Sequence, residues 1–218
     1  MGKLIDKIQK KDIGAIGIGA MIVFIAMVLV AGIAASVLIQ TSGNLEMRAM
    51  QAGTETTAEV ATGLHVEKIY GYSADNSAIG LLAISIRPRA GSTQIDLSET
   101  IIEITNSSAK NYFTYESNNF TQTTAIGGDI FNTTFYPLDN GTVFGIIVLE
   151  DADGSVTSTN PVINAGDHVI LTVNITAAFS GFETRLPVRG LVIPELGSAA
   201  VISFSTPPSY TKNIVELQ

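Results

Sequence analysis

Hydrophobic and polar positions along this chain follow two different periods, and the change falls near residue 64. Ile13 to Leu45 contains no ionisable side chain and is built from Ile, Val, Leu, Met, Phe, Ala and Gly with a few small polar residues. At a rise of about 1.5 Å per residue, Ala15–Ile39 alone makes a helix long enough to cross a hydrocarbon layer of ~30 Å. Gln40 to Gly43 interrupts the apolar run, and Leu45 to Thr62 is mixed, with Glu46, Arg48, Glu55 and Glu59. Ala49, Ala52, Val60 and Leu64 fit one apolar stripe on a continuing helix, and Gly63 supplies a stop. The pattern predicts one long helix, enclosed on all sides in its first half and on one face in its second. Gly43 marks a kink or a close contact.

From His65 onward the period is two. Leu82, Ile84 and Ile86 alternate with Ala83, Ser85 and Arg87 before Pro88. Further strands are expected near 99–105, 110–116, 129–136, 142–149, 167–176, 184–193 and 199–205, separated by turns such as Asp139-Asn140-Gly141 and Asp153-Gly154. Pro187 suits an edge strand. The expected class is α+β: a long hydrophobic N-terminal α-helix followed by an immunoglobulin-like antiparallel β-sandwich.

Charge divides the chain further. The net charge of −8 is uneven: Lys3, Lys7, Lys10 and Lys11 outweigh Asp6 and Asp12 before residue 15, and the remainder is strongly acidic. A basic leader ahead of an apolar run stays on the cytoplasmic side of a membrane. An acidic body repels phosphates, so no nucleic-acid partner is expected. The absence of cysteine removes disulfides, thiolate catalysis and thiolate metal ligation.

An ordinary secretory signal has an apolar core of about 7–15 residues closed by a small-residue cleavage site. Here the order is reversed: the cut is expected before the apolar run, after Gly14, and no Ala-x-Ala site closes the run. The plain reading of hydropathy is an uncleaved membrane anchor. Small residues point elsewhere. Ala15/Gly19, Ala31/Ala35 and Gly32/Ser36 each lie four apart, which lets helix backbones approach closely. A helix that packs against copies of itself needs this spacing, and a solitary anchor does not.

Gly14-Ala15-Ile16-Gly17-Ile18-Gly19, followed by Met21 through Ala31, resembles the class III signal and N-terminal helix of archaellins, the archaeal flagellins. These are similar to type IV pilins at this end only. Gly91-Ser92-Thr93-Gln94-Ile95-Asp96-Leu97 and Pro194-Glu195-Leu196-Gly197 resemble archaellin segments too, whereas 106–165 carries little of the likeness. The resemblance implies three regions: a cleaved leader, 1–14; a polymerisation helix, 15–64; and an outer β domain, 65–218. It implies cleavage between Gly14 and Ala15 by a prepilin-type signal peptidase, with helix-core packing through Ile16, Gly17, Gly19, Phe24, Ala31 and Ala35. The implied partners are copies of the chain, other archaellins, the archaellum membrane platform, its motor ATPase and the N-glycosylation machinery. The implied precursor is inserted transiently in the cytoplasmic membrane. The function so implied is a structural subunit of the extracellular filament used for swimming; the alternative is an adhesion pilin of a type IV-like pilus.

Five Asn-x-Ser/Thr sequons occur, at Asn106, Asn119, Asn132, Asn140 and Asn174. Val169, Leu171, Val173 and Ile175 mark one strand face, so Asn174 and Thr176 are expected on an opposite, wet face. The resemblance implies N-glycosylation as well. Glu150-Asp151-Ala152-Asp153-Gly154 gathers oxygen ligands of the kind Ca²⁺ takes, but its spacing is not an EF-hand; it reads as a solvated turn, and no metal is assigned. His65 and His168 lie in no ligand pattern, and there is no Gly-x-Ser-x-Gly elbow. No catalytic constellation and no cofactor is expected.

Overall fold

The computed structural model describes residues 2–122, 127, 129–131, 136–137 and 140–218, with side chains from residue 16 onward. The chain forms two compact units, residues 1–54 and 55–218. Helix α1, Gly2–Ala61, is continuous through Gly43, whose Cα has open space where a side chain would project. Thr62 still donates its amide to the Ala58 carbonyl at 2.8 Å, and the helix then stops. Gly63 does not end it by a left-handed turn. A Cβ there would collide with the Ser198 side chain, so Gly63 permits a close crossing of two chain segments. Leu64, placed on the helix stripe by its spacing, is instead the first residue of a strand and fully buried.

The second unit contains β1 (Leu64–Tyr72), β2 (Leu81–Pro88), β3 (Ile95–Asp96), β4 (Ile101–Thr105), β5 (Lys110–Gln122), β6 (Val143–Glu150), β7 (Val162–Ile163), β8 (His168–Asn174), a short helix α2 (Ile175–Phe179), β9 (Pro187–Ile193), β10 (Ala200–Ser205) and β11 (Ile214–Glu216). Among the described residues, β10-β9-β4-β5-β6-β8-β2-β1-β11 form one hydrogen-bonded run, and β3 pairs with β7. Every neighbouring pair is antiparallel except β5 with β6.

The run folds into two leaves, and β5 is shared between them. Its Lys110–Phe113 portion pairs with β4, and Thr114–Gln122 pairs with β6 across a register shift between Tyr115 and Phe120. Gly145 on β6 accommodates this shift, because a Cβ there would strike the Asn119 carbonyl. At the other side, Leu64 N donates to Ser198 O at 3.2 Å and Ser198 N to Thr62 O at 2.9 Å, which brings β1 beside the start of β10. Ile84 and Phe144 from one leaf meet Phe113, Val188 and Ile202 from the other in one continuous core. The antiparallel two-layered β domain matches the expectation, with hydrogen bonds carrying the chain from one leaf to the other.

Three sequence expectations need correction. Strand β9 lies between β10 and β4, so Pro187 does not sit on an edge strand; it is the first residue of its strand, where its missing N–H is tolerated. The strand expected over 167–176 ends at Asn174, which caps α2. Both faces of β8 are buried, because Phe131 and Tyr136 lie with Leu81, Ala83, Ile147 and Ile170 in a second apolar cluster. Tyr72, Phe131 and Tyr136 stack in series there, with ring centroids 5.3 and 6.0 Å apart. Of the strand expected over 129–136, Ile130 and Phe131 form a turn and 132–135 lie outside the described residues.

Candidate functional site

Segment Ile16–Ala61 of α1 is long and apolar enough to cross a membrane, with a mean hydropathy of 3.0 in its best window and none of that window buried within the chain. Ile16 is 71% exposed and Phe24 67%, and Ala31 and Ala35 are exposed too. Gly17 and Gly19 have no heavy atom near the place a Cβ would occupy, so nothing inside the protomer requires glycine there. Within the polar interruption, Thr41 is satisfied by its own helix: its Oγ1 donates to the Val37 and Leu38 carbonyls at 2.9 and 3.0 Å. This bonding keeps the hydroxyl out of need of water in an apolar setting. Exposing each large apolar side chain to water costs about 1.5–3 kcal/mol, so α1 is chemically a surface that has to be covered. At Gly14 and Ala15 the backbone is helical.

The sequons fall in unlike settings. Asn140 is exposed; its Oδ1 accepts from Thr142 N at 3.0 Å and from Thr142 Oγ1 at 2.8 Å. Half-buried Asn106 accepts from Ser108 N and Ala109 N at 2.9 and 2.7 Å. Half-buried Asn119 donates its Nδ2 to Glu116 Oε2 at 3.0 Å. Asn132 lies outside the described residues. Asn174 corrects the expectation of a wet face: it is 4% exposed, its Oδ1 accepts from Ala177 N, and its Nδ2 donates to the Pro137 carbonyl at 3.3 Å.

The archaeal-type flagellin family model matches residues 14–204. Flagellin B2 of Methanocaldococcus jannaschii is 50% identical over 208 residues, spanning 94% of this chain and 95% of the relative. The chain belongs to the archaeal-type flagellin family. Its fold is similar to the crystal structure of archaeal flagellin FlaB1 from Methanocaldococcus jannaschii, with a TM-score of 0.64 at 38% identity, covering 72% of this chain and 98% of that one. A further match of TM-score 0.64 at 17% identity, to the archaeal flagellum of Methanospirillum hungatei strain JF1, covers 91% of this chain and 98% of that one and shares the fold. Family membership makes the chain a structural subunit of the extracellular archaeal flagellum filament, which serves motility.

Two polar clusters in this flagellin were only partly visible in its sequence. Asp151, Asp153 and Asp167 bring carboxylate oxygens within 4.8 Å of one another. Glu150, counted with this turn from the sequence, points elsewhere and pairs with Arg87 at 3.1 Å. Asp167 comes from a distant position and was missed. Protein donors already engage the cluster: Asp151 accepts from Gly154 N and Val156 N, Asp153 from Asn164 Nδ2 and Asp167 from Asn164 N. The hydrogen bonds from Asn164 and Ser155 hold the Asp153 carboxyl below its usual range, whereas burial raises that of Asp167.

The second cluster places Ser85 Oγ 2.6 Å from His168 Nε2, with Glu67 Oε2 3.2 Å from the same nitrogen. Arg87 Nη2 lies 3.0 Å from His168 Nδ1. Guanidinium can only donate, so Nδ1 accepts and Nε2 carries the proton toward Ser85 and Glu67. An imidazole in that tautomer cannot take a proton from Ser85, so these groups brace strands without activating a nucleophile.

Proposed function

We propose that the filament is built through α1 after the leader is removed between Gly14 and Ala15. The precursor sits in the cytoplasmic membrane with its lysine-rich leader inside and its β domain outside. A prepilin-type peptidase cuts after Gly14, and the freed helix passes from lipid into a bundle of identical helices on the membrane platform, driven by the motor ATPase. Lipid and a neighbouring helix are about equally apolar, so the transfer requires close packing more than hydrophobic gain. Gly17, Gly19, Ala31 and Ala35 provide the room for that packing, and Ile16 and Phe24 supply its bulk. The observation that carries this reading is an apolar window of α1 with none of it buried, in a chain whose β domain already has its own core. The family match that begins at residue 14 supports the cleavage position.

The N-glycosylation machinery then acts on the outer domain, and Asn140 is the best-presented acceptor among the described sequons. The test of the reading is the N-terminal peptide of filaments sheared from cells, measured by mass spectrometry. A mature chain starting at Ala15 is expected. Filaments whose subunits still start at Met1 would overturn the cleavage step.

A further inference from the structure

The two leaves differ in what covers their outer faces. Over β1, β2, β8 and β6, Phe131 and Tyr136 cover Leu81, Ala83, Ile147 and Ile170, each at most 7% exposed. Over β10, β9, β4 and β5 the outward positions lie bare in cross-strand rows. One row pairs Ile193 with Ile101, and the next runs Val201, Leu191, Glu103, Tyr112. Ile193 is 37% exposed, Ile101 40%, Tyr112 52% and Val201 59%. A third row carries Ser203, Arg189, Thr105 and Lys110. Lys110 is compensated, at 2.7 Å from Glu103 and 5.2 Å over the Tyr112 ring. Exposed Arg189 has no ion-pair partner among the described residues. The bare leaf is therefore apolar with one uncompensated positive charge, on a body that is otherwise strongly acidic.

The geometry points to this leaf as the docking surface for a second copy of the chain, its occupant the Leu45–Val60 part of the neighbour's α1. One face of that part of the helix carries Leu45, Ala49, Ala52 and Val60, all exposed. The same part of the helix also carries Glu46, Glu55 and Glu59 against Arg48 alone. Its apolar residues match Ile101, Ile193, Leu191 and Val201, and its negative excess matches Arg189. Elsewhere two acidic bodies repel on approach; here the signs are opposite and apolar area is removed from water. Two bare leaves facing each other would set Arg189 toward its own copy and close the assembly at a dimer. A sheet face on a helix is a heterologous contact, which propagates. The inference rests on the polymerisation reading above, and adds what holds the outer domains in register.

The chain has no cysteine, so paired cysteines report the contact without background. Full-length Val201→Cys is combined in turn with Ala49→Cys, Met50→Cys or Val60→Cys, expressed in cells, and the sheared filaments are mildly oxidised. At least one pair gives a ladder extending beyond the dimer on non-reducing gels, and each single variant gives none. Arg189→Glu with Val201→Glu lowers filament yield about tenfold, while the unassembled chain in the membrane keeps a protease-resistant β domain. Filaments that form with every pair yet give no ladder overturn this inference alone, as do dimers from Val201→Cys by itself. A wild-type chain that makes no filament overturns the polymerisation reading, and this one with it.

Discussion

At Asn140 the residue is exposed and its side-chain oxygen is held by Thr142, whereas at Asn174 both ends of the amide are used inside the fold. The two sequons are equivalent as letters and opposite as surfaces. Glycopeptide mass spectrometry of filaments is expected to find Asn140 modified and the Asn174 peptide bare. Replacing Asn174 by alanine removes a helix cap and orphans the Pro137 carbonyl, for a loss of about 1–3 kcal/mol in a urea titration of the detergent-solubilised chain. His168 gives a pH dependence of definite sign. Burial first, and then Arg87, holds its pKa below the ordinary 6.5, with Glu67 and Glu150 opposing. The fold thus favours the neutral ring. Its contribution to stability is complete above about pH 6.5 and falls as pH drops toward the depressed folded value. Melting temperature should decline over that window, and His168→Gln should remove that part of the decline. Asp167, raised by burial, titrates with the opposite sign and stays in both proteins. At this scale the sequence showed which residues exist but not what covers them. The wet face assigned to Asn174 fails because Phe131, Tyr136 and Pro137, far away in the chain, close over it.

Among the elements, glycine separates two kinds of constraint. Gly190 lies inside the sheet, where a Cβ would collide with the Glu103 carbonyl, so Gly190→Ala disrupts the β domain itself. Gly17 has open space around it in the protomer. Leucine there improves helix propensity by somewhat less than the roughly 0.8–1 kcal/mol that separates glycine from alanine, and its Cβ meets nothing in the chain. Gly17→Leu is therefore expected to leave the membrane precursor intact and folded, and to reduce filament yield at least tenfold by electron microscopy, because it keeps neighbouring backbones apart. Equal filament yield would show that close approach at Gly17 is not required. Helix α1 and the alternating inward positions Leu82, Ile84 and Ile86 were legible because their periodicity is local. The shared strand β5 was not, since its passage from one leaf to the other depends on Gly145 and the register shift opposite it. Nor was the inner position of β9, whose neighbouring strands come from a later segment, β10, and an earlier one, β4.

Over the whole molecule, the two units meet water in opposite ways. The β domain hides its apolar residues in a core made by both leaves, while α1 presents Ile16, Phe24 and their neighbours with no cover from the chain. In the assembly proposed above the cover comes from other copies, and the missing half of the packing lies between chains. That explains why the sequence reading reached the assembly more readily than it reached the polar clusters. An uncovered apolar helix with small residues at regular spacing is written along one stretch, whereas Asp167 and His168 find their partners only through the fold. In the proposed assembly the filament buries α1. The most direct measurement is water-soluble maleimide labelling of Ala31→Cys in intact filaments, with exposed Ser209→Cys as the reference, in a chain that has no other thiol. Ala31→Cys should stay unlabelled over the time that Ser209→Cys reacts fully, and become reactive once filaments are dissociated. Labelling of Ala31→Cys in intact filaments as fast as Ser209→Cys would show that the filament leaves α1 open to water.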